Sequence, residues 1–327
     1  MQILGQHLRH NPHLILSVLA CVVGAVAAYG AIAFRHAIDA IQFLFYGLGS
    51  EQVLSIAMHL EWWHRMLVPA LGGLAVGIII YALLPNRRPH GVADVIEACA
   101  ARGARMRLRD GLMAAAVSAA SIGAGASVGR EGPVVHLAAT VASWLGQRLG
   151  LDRPQLITLL GCGVASGVAA SFNAPIAGVF FALEVIVGHY GLGTFTPVVV
   201  SSVIGTIIAR AHFGDFPAFV VPGLEISTYY ELPAFFLLGL ICAGVATLFV
   251  YGTLWTARIA DRVPIPRWLL PACGGLGVGI IAAVFPEVIG VGYETTDAAL
   301  AGRFDLWLLV LLALAKTAAS CISLGSG

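Results

Sequence analysis

Residues Gly123–Pro133, GAGASVGREGP, combine ionisable side chains with a permissive backbone. An apolar stretch precedes them, and a helix over Pro133–Leu149 is expected to follow. Proline suits a first helical turn, where its missing N–H leaves nothing unsatisfied. The free N–H groups of that turn, together with the helix dipole, favour an anion. Glycines on both sides keep the backbone open to a ligand. Arg130 and Glu131 are ionisable residues in an apolar region, where charge is costly and usually functional. Glu131 is thus a carboxylate tethered beside an anion site. It can occupy that site when charged and leave it when protonated or displaced. A plainer reading of the same pair is a salt bridge that holds the turn. A phosphate loop is excluded, because no Gly-Lys-Ser/Thr follows and no strand pattern precedes.

The elements that must position these residues are set by composition. The chain has 327 residues, 59% hydrophobic and only 11% charged, with mean hydropathy +0.90. Typical soluble domains carry about 25% charged residues. These figures exclude a disordered chain, a coiled coil, a nucleic-acid-binding protein and almost any soluble enzyme. A soluble fold of this size has no means of hiding so much apolar surface. The expected fold class is an all-α, multi-pass integral membrane protein, with the lipid bilayer as its solvent. Glycine (39) and proline (15) are abundant, as in membrane helices that approach closely. The net charge of +1 implies no electrostatic partner. The six cysteines show no CxxC spacing and read as small packing residues, so neither a metal nor another cofactor is expected.

Apolar stretches fall near 14–34, 67–84, 112–128, 156–170, 174–188, 196–209, 234–256, 269–285 and 306–315. Strand-like alternation is absent, so helices are expected throughout. The first run, Leu14–Phe34, is too long for a signal core and long enough to cross a bilayer. Several others fall short of the roughly 20 residues a span needs, and glycine or proline breaks many of them. Short, interrupted segments suggest helices that stop at membrane depth, as in transporters.

An internal repeat is visible. Pro69–Ile79 reads PALGGLAVGII and Pro271–Ile281 reads PACGGLGVGII, identical at nine of eleven positions. Leu112–Gly125 aligns with Leu314–Gly327 at the same offset, with 6 of 14 identical. Arginines crowd the segment after the first copy and the segment before the second. By the positive-inside rule, 85–110 and 257–267 are cytoplasmic. The first copy therefore runs inward and the second outward. Such an inverted repeat places a substrate site near the midplane, between the halves. The first half is expected over 1–210 and the start of the second over 211–327. Residues 126–133 have no partner before Gly327, so the chain reads as the N-terminal part of a longer protein.

GREGP at 129–133 resembles the central signature of the CLC family of chloride channels and proton-coupled chloride transporters. Gly161–Glu184, GCGVASGVAASFNAPIAGVFFALE, is similar to that family's next two helices, including the Asn-Ala-Pro break at 173–175. AKTAASCISLGSG resembles the approach to the family's second filter motif. The resemblance implies an α-helical homodimer in a cell or inner membrane, with chloride as the transported ion and a pore in each subunit built from inverted halves. It implies that Glu131 is the gating glutamate. Gly129, Arg130, Gly132 and Pro133 match the rest of the filter segment. The family's first filter motif matches the region of His90, Gly91 and Val92. Here His90 stands at the usual serine and Ala93 at the usual proline. A histidine can donate a ring N–H to an anion and can titrate near neutral pH. Equally, His90 can be a solvated member of the arginine-rich segment RRPHG.

A second departure bears on mechanism. Glu184 matches the first of two glutamates usual in proton-coupled members, but Val185 stands where the relay glutamate would be. Valine cannot exchange a proton, which points to a passive, voltage-gated type of chloride channel; a proton/chloride antiporter is the alternative. A remote third reading is an intramembrane hydrolase using Ser166 and His212 as a dyad. His136 and His189 are expected to be hydrogen-bonded side chains rather than ligands. Trp62 and Trp63, with His64, fit an interfacial aromatic belt. The role of Lys316, the only lysine, is left open.

Overall fold

The computed structural model describes residues 12–47, 53–83, 90–215, 219 and 228–327. Among these there are thirteen α-helices and no strand. A bilayer supplies no hydrogen-bonding partner, so each crossing segment must satisfy its own backbone, and a helix does so internally. Seven helices are long and apolar enough to cross: Ile15–Tyr46, Trp62–Ala82, Arg153–Phe172, Leu192–Phe213, Tyr229–Arg262, Arg267–Val284 and Leu306–Ser326. Two expected stretches are shorter. Stretch 112–128 becomes α5 (Leu108–Gly123), which stops where Gly125 turns into the left-handed region at φ +96°. Stretch 174–188 becomes the short helix α8 (Pro175–Phe181), continued by one π-helical turn, Ala182–Val187, and closed by left-handed Gly188. Conversely, the first helix, α1 (Pro12–Tyr46), runs well past the expected end at 34.

The chain forms two compact units that interleave in sequence. The first comprises residues 1–37, 84–119 and 130–218. Its centre is α7 (Arg153–Phe172). Asp152 starts this helix by accepting the Gln155 N–H at 3.0 Å, and Pro154 sits in its first turn. Small residues on α7 admit its neighbours. Gly163 meets the backbone of Ala138 in α6 (Glu131–Arg148), and Ala165 lies under Gly178 of α8. Ser166 lies against Gly205 of α9 (Leu192–Phe213). Buried Leu156, Leu159, Leu160, Val164, Leu183 and Val198 fill the core between them.

Asn173 ends α7 in the left-handed conformation, φ +52°. Its side chain accepts from Arg210 Nε at 2.7 Å and donates to Asp215 at 3.1 Å. Pro175 then opens α8. The Asn-Ala-Pro break is therefore a turn clamped by an ion pair, with Arg210 and Asp215 3.1 Å apart.

The second unit comprises residues 38–83, 120–129 and 219–327. It contains both repeat copies, as α3 (Trp62–Leu83) and α11 (Leu270–Val284). Gly73 abuts the backbone of Pro271 and Gly77 that of Trp268; Gly275 abuts Pro69, and Gly279 abuts Met66. Numbering rises along one helix as it falls along the other, so the copies run antiparallel. That is the inversion expected from the arginine distribution. α13 (Leu306–Ser326) packs on α11 and on α10 (Leu232–Arg262), meeting the latter through Gly325 against Thr256 and Gly252 against Cys321. α10 has no buried residue, a surface suited only to an apolar solvent.

Candidate functional site

The glycine-rich segment divides between the two units. Residues 124–127 are anchored in the second. Tyr46 Oη donates to the Ala124 carbonyl at 3.1 Å, Gly290 N–H to that of Gly125 at 3.3 Å, and Ser127 N–H to Ser323 Oγ at 3.2 Å. Gly129, at the end of this run, is exposed.

Arg130 to Pro133 open α6 in the first unit. Arg130 is the N-cap, and the helix starts at Glu131, two residues earlier than expected. Pro133 lies in the first turn as anticipated. The two ionisable neighbours part company here: Arg130 is 7% exposed, whereas Glu131 is exposed. The Arg130 guanidinium donates to the Ser171 carbonyl at 3.1 Å and sits 5.7 Å above the Phe172 ring. Ser171 and Phe172 are the last residues of α7, where carbonyls lack helical partners and a cation is favoured. Arg130 therefore ties the start of α6 to the end of α7. Nothing lies within 4 Å of where a Cβ on Gly132 would be. The first turn of α6 thus presents open backbone beside an exposed carboxylate.

The second candidate segment is also a helix start. Gly91 is the N-cap of α4 (Val92–Ala101), and a Cβ there would likewise meet nothing within 4 Å. Its N–H donates to the Asp94 carboxylate at 2.9 Å. His90 is half-buried rather than solvated, and its ring lies 5.5 Å from that of His136 in α6, tilted by 38°. Arg87 and Arg88 lie outside the described residues. His136 is 3% exposed. Contrary to the expectation of a hydrogen-bonded side chain, its Nδ1 is buried without a partner, and so is that of His90. The fold thus joins the two candidate segments through an imidazole pair that the linear sequence did not disclose.

Val185 lies in the π-helical turn and is 39% exposed, with the Glu184 carboxylate accepting from Tyr190 Oη at 3.4 Å. Single π turns often mark functional positions. The proposed dyad is not assembled. Ser166, fully buried, donates to the Gly24 carbonyl at 2.6 Å, and His212 Nε2 faces His36 Nε2 at 2.9 Å. Lys316 donates to the carbonyls of Gly290 at 2.6 Å and Val288 at 3.0 Å, within the second unit. All six cysteines are free, and no cluster of three or more metal-ligating side chains occurs among the described residues.

Open helix starts, interrupted helices and antiparallel repeats define a multi-pass α-helical membrane protein of the transport class. The model of the family described as "Voltage gated chloride channel" matches residues 72–327. The chain is 36% identical over 315 residues to the putative chloride channel protein ClcB-like of Ralstonia nicotianae, covering 94% of this chain and 73% of that one. It is 29% identical to chloride channel protein CLC-f of Arabidopsis thaliana, covering 97% of this chain and 42% of that one. Its fold is similar to the crystal structure of a slow cyanobacterial Cl-/H+ antiporter, with TM-score 0.81 and 19% identity over 95% of this chain and 74% of that one. The chain belongs to the CLC family of chloride channels and transporters.

Proposed function

We propose that the protein moves chloride across a cell or inner membrane along a path lined by the helix starts at His90–Val92 and Gly129–Pro133, with Glu131 as the gate. The carrying observation is the first turn of α6. There an exposed carboxylate is covalently attached to open backbone N–H groups that favour an anion, while buried Arg130 fixes the turn. A carboxylate and a chloride ion compete for the same donors, so protonating or displacing Glu131 opens the path. Residues 1–210 form the first half of the inverted repeat and 211–327 the start of the second. The working unit is a homodimer.

Passive conduction is the favoured mode, because Val185 carries no exchangeable proton. Coupled proton/chloride exchange is the second reading. It is favoured by the neighbouring rings of His90 and His136, whose unpartnered Nδ1 atoms are basic nitrogens that do not depend on Val185. Chloride efflux and external pH recorded together from liposomes decide between them, for the wild type and for Glu131→Ala. Chloride efflux without proton uptake supports passive conduction. Protons moving in fixed ratio with chloride, and uncoupled in the variant, establish exchange. No chloride flux in either protein overturns the chloride reading.

A further inference from the structure

The run that leads to the candidate filter cannot hold its own place. Residues 123–129, GAGASVG, carry three glycines and few side chains of any size, so local torsional preference leaves their backbone free. Packing within the second unit imposes their position instead. Gly125, in the left-handed region, is so closely confined that a Cβ there would overlap Tyr46 Oη and crowd Ile289. Ile289 is the middle of a buried strap, Val288–Gly290, that ends a single 3-10 turn, Pro286–Val288. The strap's Gly290 N–H donates to the Gly125 carbonyl at 3.3 Å. Buried irregular backbone in a membrane protein must find its own partners inside the protein. Two carbonyls of the strap find them in one side chain: Lys316 Nζ donates to Gly290 at 2.6 Å and to Val288 at 3.0 Å.

Lys316 stands at the midpoint of α13, a helix of spanning length, where a charged group is costly and usually functional. The face of α13 that carries Lys316, Ser320 and Ser323 serves the glycine-rich run throughout. Ser323 Oγ accepts from the Ser127 N–H at 3.2 Å, and Ser320 Oγ lies 3.3 Å from Ser127 Oγ. In the repeat alignment Ser320 and Ser323 correspond to Ser118 and Ser121 of α5, but Lys316 corresponds to Ala114. The serines belong to both copies of this helix, whereas the lysine belongs to one. We propose that Lys316 is a positioning residue for the anion path: by holding the Val288–Gly290 strap it fixes the backbone from Gly125 to Gly129, where the path begins. The inference rests on the chloride reading given above. Lys316 acts through Ile289 and Gly290 rather than on the anion. Backbone groups select an ion by their number and placement, so a shift in this run changes which anion is preferred as well as how fast it moves.

The test uses the full-length protein in liposomes. Chloride and nitrate efflux are measured for each variant, and the thermal midpoint is recorded on the same preparation. Lys316→Met keeps the length of the side chain and removes its donors. It should change the chloride-to-nitrate flux ratio by about five- to tenfold, the scale of one hydrogen bond made by a charged group. Lys316→Arg keeps charge and donors and should bring the ratio most of the way back to wild type. Gly73→Ala, which overpacks the contact between α3 and α11 in the same unit, should lower the midpoint and leave the ratio at wild type. A wild-type ratio in Lys316→Met, whatever its midpoint, overturns the proposal and leaves Lys316 a packing residue. A ratio that shifts as far in Gly73→Ala overturns it too. If Lys316→Met does not fold, Lys316→Gln, which still has donors, is measured in its place; a smaller shift is expected, and an unchanged ratio again overturns the proposal. Absence of chloride efflux from the wild type overturns the chloride reading and this proposal with it, whereas chloride efflux with an unmoved ratio overturns this proposal alone.

Discussion

Gly73 of α3 lies so close to Pro271 of α11 that a Cβ on the glycine would overlap the proline's carbonyl oxygen, and Gly275 stands in the same relation to Pro69. The two contacts are equivalent positions of the two repeat copies, exchanged across the helix pair. Backbone-to-backbone approach of this kind is how membrane helices gain association energy, since the hydrophobic effect gives them little once both lie in lipid.

Overpacking such a contact typically costs about 1–3 kcal/mol. Gly73→Ala and Gly275→Ala should each lower the thermal unfolding midpoint in detergent by a similar amount, as the symmetry of the contact requires. Gly239→Ala in α10, where nothing lies within 4 Å, should leave the midpoint unchanged or raise it, because alanine is the better helix former. A harmless Gly73→Ala would mean that the helices are not in van der Waals contact at the repeat.

Arg130 links two helix ends, and its loss acts on the turn that carries Glu131. Arg130→Gln removes a charged donor from the Ser171 carbonyl and a cation from the Phe172 ring, together about 2–4 kcal/mol. Chloride flux should fall along with stability. Arg130→Lys keeps the charge but not the planar fork, so it should rank between the two. Flux in liposomes and thermal midpoints, measured on the same preparations, check the order.

Ser166 is the third case. Ser166→Ala removes one buried hydrogen bond to Gly24, worth about 1 kcal/mol, and should leave chloride flux near wild type. A serine-directed fluorophosphonate should not label the wild-type protein. Labelling at Ser166 would revive the hydrolase reading that the separate partners of Ser166 and His212 argue against.

Much of this protein was legible from residue types and periods. Apolar runs with few charges can only be bilayer helices, and near-identical copies flanked by opposite arginine bias can only be an inverted repeat. The start of α6 was readable to within two residues because proline and glycines beside an ionisable pair mark a helix N-terminus locally. Other features depend on tertiary neighbours. Arg130 and Glu131 are adjacent in sequence, yet one is buried against α7 and the other exposed, because α7 supplies carbonyls on only one side of the turn. The reach of α1 to Tyr46 reflects a polar stretch, Arg35–Gln42, kept helical where local hydropathy alone suggests an end. The π turn at Val185 leaves no local composition signal. The pairing of His90 with His136 joins residues 46 positions apart, a separation that no helical or strand period connects. Sequence by itself determined the solvent, the helices, their inversion and the character of the anion-seeking turn, since these follow from local polarity and backbone chemistry. Only the tertiary structure decided which charges are buried and which imidazoles meet, because burial and proximity are set by neighbours brought in from elsewhere in the chain.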